Sequence, residues 1–419
     1  MTDRNTNRPG YKKTKVGWIP KDWKSSHFDE VSVVNPKRPK KLPECVSFVA
    51  MADVSEYGVI QSRTVKQVKD GINGFTPFME NDILVAKITP CFENYKGALA
   101  VGLVNGIGFG STEFHVIRPS GIDRDFIYYH TRTHRFRVSG ISNMVGSAGQ
   151  KRVPVAFIQK YIIPLPPLPE QKKIAEILST WDEGIEQTLA LIAAAKRRKQ
   201  ALMQELLTGK KRLKRFRGKW KIFHLGDLCH SLASGGTPST ANKSYWRGTI
   251  PWVTGADIGE GNISYGRRFI SSKALQDSNT VLCERGDVAL VTRTGVGKWA
   301  LIVQPTAVSQ DITRIRFQPH IVDALFGGFA IASSIPNLLK FNQGTSIAGI
   351  QKEDLRHYAM QIPPIPEQRA IAAVLATADK EIKSLEAKCT AMEKQKRGLM
   401  QKLLTGQVRV KILRGGQHA

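Results

Sequence analysis

Two groups of basic and amide- or hydroxyl-bearing residues stand where short apolar runs give way to polar loops. The first comprises Lys87, Thr89, Asn94, Lys96, Gln150, Lys151 and Arg152; the second comprises Thr292, Arg293, Thr294, Lys298 and Gln310. Lysine and arginine neutralise phosphates and set a protein's register on a duplex, while threonine, asparagine and glutamine exchange hydrogen bonds with base edges. As groups they are candidate DNA-binding residues; any single one reads equally well as a solvated strand end. The basic runs at 196–199 and 210–217 have several readings: a track for a phosphate backbone, a charge that steadies a helix carboxyl end, a solubilising helix surface or a contact with a partner subunit.

Catalytic and metal chemistry find less support. Gly106, Gly108 and Gly110 cluster without the GxGxxG spacing and read as a turn. The stretch 294–299 hints at a phosphate loop, but Thr292 stands where its first glycine belongs and Trp299 where a serine or threonine is required. His130 and His134 share a helical face without an HExxH signature and are expected to be satisfied core or surface histidines. The five cysteines, at 45, 91, 229, 283 and 389, form no CxxC pair, and their odd number excludes a complete disulfide framework, which suits a reducing cytosol. No GxSxG elbow is present. The expectation is a chain with no catalytic residues, no metal site and no cofactor of its own.

The elements that must carry the two groups have a common texture. The stretches 81–90, 111–119, 286–295 and 311–319 are short, rich in β-branched residues and broken by glycine, proline and asparagine, which marks strands; 127–130 and 322–332 look helical. Residues 16–165 and 213–362 are each expected to form a mixed α/β domain. They share landmarks, an acidic residue before a strand at Asp82 and Asp287, and the similar stretches 146–151 and 345–352, but otherwise differ. One frame carrying two differently written surfaces suggests two recognition tasks.

A closer repeat follows each domain. Segments 166–209 and 363–406 align without a gap at an offset of 197 residues, and Trp23-Lys24 and Trp220-Lys221 recur at that same offset. Each segment carries a heptad seam: Ile174, Leu178, Trp181, Ile185, Ile192, Leu202 and Leu206 in the first, Ile371, Leu375, Ile382, Leu385, Cys389, Met392, Leu399 and Leu403 in the second, with Lys199 and Lys396 at equivalent seam positions. Pro169 or Pro366 suits the first helical position, the following Glu-Gln lies where amide dipoles favour negative charge, and Gly209 or Gly406 marks the stop. Pro164, Pro166 and Pro167 stiffen the entrance. A helix of this size is ~58 Å long at ~1.5 Å per residue, too long for one small core to cover. Its cheapest partner is the other copy, as an antiparallel intramolecular coiled coil; helices packed separately on their own domains, or helices pairing between chains, are the other arrangements.

The sequence thus divides into an N-terminal tail at 1–15, a domain at 16–165, a first long helix and basic connection at 166–212, a second domain at 213–362, a second long helix and end region at 363–412 and a tail at 413–419. Over 419 residues the formal charge is +27 and 41% of residues are hydrophobic, enough for packed cores. The opening residues lack the apolar stretch of a secretory signal, and no run is long enough to span a bilayer, so a soluble, cytoplasmic protein is expected. A large positive charge steers a protein to nucleic acid or to anionic lipid without choosing between them.

The constellation of 164–178 and 363–375, each followed by a long helix ending in Leu-Leu-Thr-Gly, closely resembles the specificity subunits of type I restriction-modification systems. The resemblance covers residues 16–412 and implies a bacterial or archaeal protein with two target-recognition domains. Residues 16–165 and 213–362 would read the two halves of an interrupted DNA target, and the helices would set their separation. It further implies a non-catalytic subunit that directs two adenine methyltransferase subunits, which use S-adenosylmethionine, and translocating restriction subunits, which use ATP and Mg2+. The alternative is a helical scaffold with two protein-binding domains whose charge serves acidic partners.

Overall fold

The protein is described from a computed structural model that defines residues 8–147, 149–342 and 349–412. It divides into two compact units, the first formed by residues up to 188 together with residues from 388 onward, the second by 189–387.

In the first unit, β1 (Ser32–Val34), β2 (Ile83–Ala86), β3 (Gly97–Leu99) and β4 (Phe114–Pro119) form an antiparallel sheet in the order β1-β4-β2-β3. Every residue of β2 is buried, as expected for a near-continuous apolar run rather than an alternating one. A second sheet orders Thr64–Gln67, Cys45–Val49, Ile107–Gly110 and Thr76–Met79, with Ile107–Gly110 parallel to Cys45–Val49. Of the glycine cluster expected as a turn, Gly106 ends the turn Val104–Gly106, while Gly108 and Gly110 lie in the strand Ile107–Gly110, where Gly108 has no side chain because the Phe78 ring occupies that space. Phe28, Phe92, Phe126 and Phe136 are fully buried beside Trp23 and Ile163, and each such ring contributes roughly 1.5–3 kcal/mol of burial.

The second unit repeats the plan with β5 (Cys229–Ser234), β6 (Glu260–Gly261), β7 (Val288–Val291), β8 (Trp299–Leu301) and β9 (Ile312–Phe317) in the order β5-β9-β7-β8-β6. Its smaller sheet again contains a parallel pair, Ile250–Val253 beside Thr306–Val308. The acidic landmark has the same task in both units. Asp82 takes a bidentate pair from Arg118 at 2.8 and 2.7 Å and the amide of Met79; Asp287 takes Arg316 at 2.8 and 2.8 Å and the amide of Glu284. Each carboxylate thereby closes the turn before β2 or β7 and locks it to the neighbouring strand.

The two long helices are α1 (Leu168–Leu206) and α2 (Ile365–Leu404), each starting one residue before the expected proline. Both pass through both units. In the first unit the early half of α1 lies against the late half of α2, as Thr188 donating to Met392 Sδ at 3.7 Å and Lys396 paired with Asp182 show. In the second unit the late half of α1 meets the early half of α2 through Lys199–Asp379 at 2.6 Å, Lys196–Glu386 at 2.7 Å and an Arg198–Glu381 pair. The helices are therefore antiparallel. Of the seam residues, Ile174, Leu178, Ile185, Ile192, Leu206, Ile371, Leu375, Ile382, Cys389 and Leu403 are buried, and Trp181, Leu202, Leu385, Met392 and Leu399 are half-buried. Ile174, Leu178 and Leu403 also belong to the first unit's core, and Leu206, Ile371 and Leu375 to the second's, so helix ends and domains share one interior in each unit.

The two seam lysines are the polar exceptions, and each has an aspartate from the other helix. Asp182 also accepts the Tyr129 hydroxyl at 2.8 Å, and the Lys396 ammonium lies 5.2 Å from the Tyr129 ring. Desolvation lowers the Lys396 pKa, with Asp182 opposing the shift. A buried polar pair at a seam position fixes register at some cost in stability. Asp182→Lys and Lys396→Asp should each destabilise the first unit, and the double exchange should recover part of the loss, a coupling of about 1–2 kcal/mol in a denaturation cycle. Strictly additive losses would show that the pair does not set the register.

The Glu-Gln that opens each helix is more than a dipole partner. Glu170 and Glu367 are each 1% exposed. Glu170 accepts Arg409 at 2.6 and 2.8 Å and the indole N–H of Trp23 at 3.1 Å; Glu367 accepts Arg212 at 2.7 and 2.6 Å. Gln171 accepts the Asp123 amide at 2.9 Å and Gln368 the Asp323 amide at 2.8 Å; these two aspartates cap Arg124–Thr131 and Ala324–Leu338. Gly209 and Gly406, both at φ +71, end the helix segments and turn the chain so that the arginine three residues later reaches the glutamate. One member of the basic run at 210–217, Arg212, is thereby committed to an internal ion pair. No helix among the described residues is long and apolar enough to cross a membrane.

Candidate nucleic-acid interface

The chain from β2 to β3 and the chain from β7 to β8 are built on one hydrogen-bonded frame. In the first unit the Lys87 amide donates to Glu113 O at 2.9 Å, the Val153 amide to Lys87 O at 2.8 Å and the Ala86 amide to Lys96 O at 3.0 Å. In the second the Thr292 amide donates to Asp311 O at 2.8 Å, the Ile350 amide to Thr292 O at 2.7 Å and the Val291 amide to Lys298 O at 2.8 Å. Lys87 and Thr292 are thus equivalent, as are Lys96 and Lys298, and the segment between them is longer in the first unit. The frame brings each group of candidate residues together.

Within the first group the side chains have different environments. Asn94, Gln150 and Lys151 are exposed. Lys87 is half-buried, and Lys96 donates to Met51 O at 3.2 Å. Thr89 donates to Glu93 at 2.6 Å, while its amide bonds Lys151 O at 3.0 Å and ties the β2 loop to the 150–153 segment. Arg152 forms a bidentate pair with Glu113, Nε to Oε2 at 3.0 Å and Nη2 to Oε1 at 2.9 Å. The guanidinium holds the Glu113 carboxyl below its usual pKa, and the pair joins β4 to the loop.

In the second group Arg293, Thr294, Lys298 and Gln310 are exposed, and Gln310 accepts the Thr237 hydroxyl. Thr292 is buried, its hydroxyl 3.0 Å from that of Thr313, so it serves sheet packing in this structure. Of the second pair of landmarks, Ala148 and residues 343–348 lie outside the described residues.

His130 and His134 do not form a site. His134 is exposed, whereas His130 is buried edge-on against Phe126 at 4.8 Å, with no partner for Nε2 among the described residues. That corrects the expectation of a satisfied histidine. Burial, reinforced by Arg135, pushes its pKa down to about 3, so the ring is neutral. Among the described residues no group of three or more histidine, cysteine, aspartate or glutamate side chains is placed to hold a metal ion.

Sequence reasoning missed the residues that shape the first loop from below. Arg132 donates to Tyr95 O and Glu56 O, and Arg137 donates to Phe92 O. The available signal was the density of arginine at 132–137, just after the stretch 127–130 that looks helical.

The arrangement offers exposed cations for phosphates and exposed amides and hydroxyls for base edges, on loops fixed to buried strands. Comparison with known proteins gives a consistent result. The family model described as type I restriction modification DNA specificity domain matches residues 20–196 and 217–393. The chain is 39% identical over 197 residues, 45% of its length, to the type I restriction enzyme EcoAI specificity subunit of Escherichia coli; the match spans only a third, 33%, of that relative. It is 23% identical over 427 residues to the type I restriction enzyme MjaVIII specificity subunit of Methanocaldococcus jannaschii, covering 94% of this chain and 95% of the other. A chain solved in a study of complex assembly and conformational transition of the type I R-M system has a similar fold, with a TM-score of 0.61, 20% identity and coverage of 93% and 99%.

Proposed function

The chain belongs to the type I restriction modification DNA specificity family, and we propose that it recognises an interrupted, two-part DNA target as the specificity subunit of such a system. The first unit reads one half-site and the second unit the other. The observation that carries this reading is the shared frame with different lettering: Lys87, Thr89, Asn94, Lys96, Gln150, Lys151 and Arg152 on one copy, Arg293, Thr294, Lys298 and Gln310 on the other, with Thr292 beneath them. Charge alone binds DNA almost without regard to sequence, so two unlike polar sets on matched supports are what a two-part target requires.

On this reading the chain performs no chemistry itself. It directs adenine methylation by two methyltransferase subunits that use S-adenosylmethionine, and cleavage by restriction subunits that use ATP and Mg2+, in the cytoplasm.

Exchanging residues 16–165 for the corresponding segment of a relative with another target tests the reading, with methylated sites mapped in cells that also express the methyltransferase subunit. One half of the methylated sequence should change and the other half persist. Loss of both halves together would end the modular account.

A further inference from the structure

The turn between β2 and β3 rests on a buried guanidinium, whereas among the described residues of the second unit no arginine is buried. Arg137, on the helix His134–Ser142, is 3% exposed. Its guanidinium carbon lies 4.1 Å from the centre of the Phe92 ring and 4.4 Å from that of Tyr95, and Nη1 donates to Phe92 O. Phe92 is itself fully buried, and its ring fills the space in which Gly140 has no side chain. Arg132 holds the other side of the turn through Tyr95 O and ties it to Glu56 O. Tyr95 has a left-handed backbone, φ +60, so the turn is held in a conformation an aromatic residue seldom adopts.

Burying a guanidinium is costly unless partners compensate for lost water, and Arg137 Nε has no partner among the described residues. An apolar side chain would fill the helix face at lower cost. What the cation adds is a fixed position for the stretch 92–96, whose outward residue Asn94 is exposed. Burial brings the Arg137 pKa down to about 9, which leaves it charged at neutral pH. The second unit's counterpart of 87–96, the segment 292–298, is shorter and is closed by the Gly297 amide on Val291 O, at 3.0 Å.

We infer that Arg137 is a positioning residue for one half-site: with Arg132 it fixes the 92–96 turn so that Asn94 meets a base edge. This rests on the proposed reading of the first unit as a half-site reader. Because Arg137 is buried, it acts through the turn and not on phosphate, and because no such arginine is buried among the described residues of the second unit, its effect is confined to one half of the target.

The full-length chain and its variants Arg137→Met and Tyr95→Asn can be tested by selection from a random duplex library, with binding of a selected duplex measured across a salt series. Met keeps the buried volume without the charge, and Asn tolerates the left-handed backbone while removing the ring. Both variants should lose about tenfold discrimination at one or two positions of a single half-site, keep the other half-site, and keep the slope of log affinity against log salt, since no phosphate contact is lost. Unchanged discrimination in both half-sites for Tyr95→Asn, or for a folded Arg137→Met, would reduce the clamp to packing. If Arg137→Met does not fold, Tyr95→Asn decides alone. Should the unsubstituted chain select no two-part sequence, the functional reading fails and the inference falls with it, a result distinct from any variant's.

Discussion

Arg409→Ala should destabilise the first unit by about 3 kcal/mol, read as a lower denaturation midpoint with an unchanged slope. Among the described residues Glu170 would keep only the Trp23 indole as a side-chain donor while remaining 1% exposed. Removing one partner of a buried pair costs ~3–5 kcal/mol, and the lower end applies because the Arg409 side chain is itself 42% exposed and water can enter behind it. Asp22 loses the same guanidinium, which holds its carboxyl below the usual pKa through hydrogen bonds at 3.0 and 2.8 Å. Adding Glu170→Gln to Arg409→Ala should restore part of the loss, because a neutral amide is cheaper to bury than a lone carboxylate. A loss under about 1 kcal/mol for Arg409→Ala would mean that water already satisfies Glu170.

The second large effect is a dependence on pH. The unfolded chain protonates His130 near the ordinary histidine value of ~6.5, while the folded ring resists protonation down to about 3. The unfolded state therefore binds more protons as pH falls, so this contribution is complete above ~6.5 and is lost progressively below it. At ~1.4 kcal/mol per pH unit, about 2.5 kcal/mol disappears between pH 6.5 and 4.5, before most carboxylates protonate. His115, buried with Nε2 2.8 Å from Val153 O, has its pKa lowered by the same desolvation and steepens the trend. His130→Phe should flatten the stability curve over this window, and equal slopes for the two proteins would contradict the assignment.

These two sites show where the sequence was readable. The helices were, because a gapless repeat carries phase and length together: the seam, the stops at Gly209 and Gly406 and the antiparallel pairing all follow from it. The Glu-Gln was read as a local helix-end device, although its partners lie far away in sequence. The 197-residue offset held the clue, since Arg212 and Arg409 recur at that offset, as Trp23 and Trp220 do. His130 was misjudged because spacing along a helix says nothing about what the domain packs over a ring. The loops were located through the strands that flank them, but side-chain accessibility depends on packing, so Thr292 could not be told from its exposed neighbours.

Because the boundary between units falls within both long helices, the units differ in how they are threaded. Residues 189–387 form an unbroken stretch, whereas the other unit needs Met400, Leu403 and Arg409 to complete an interior begun by Trp23. On the ribosome the central stretch emerges whole and can close first, while the earlier-made segment must wait for residues from 388 onward. Truncations near the carboxyl end are thus injuries to the amino-terminal unit, and the half-finished segment is the one that chaperones would find exposed.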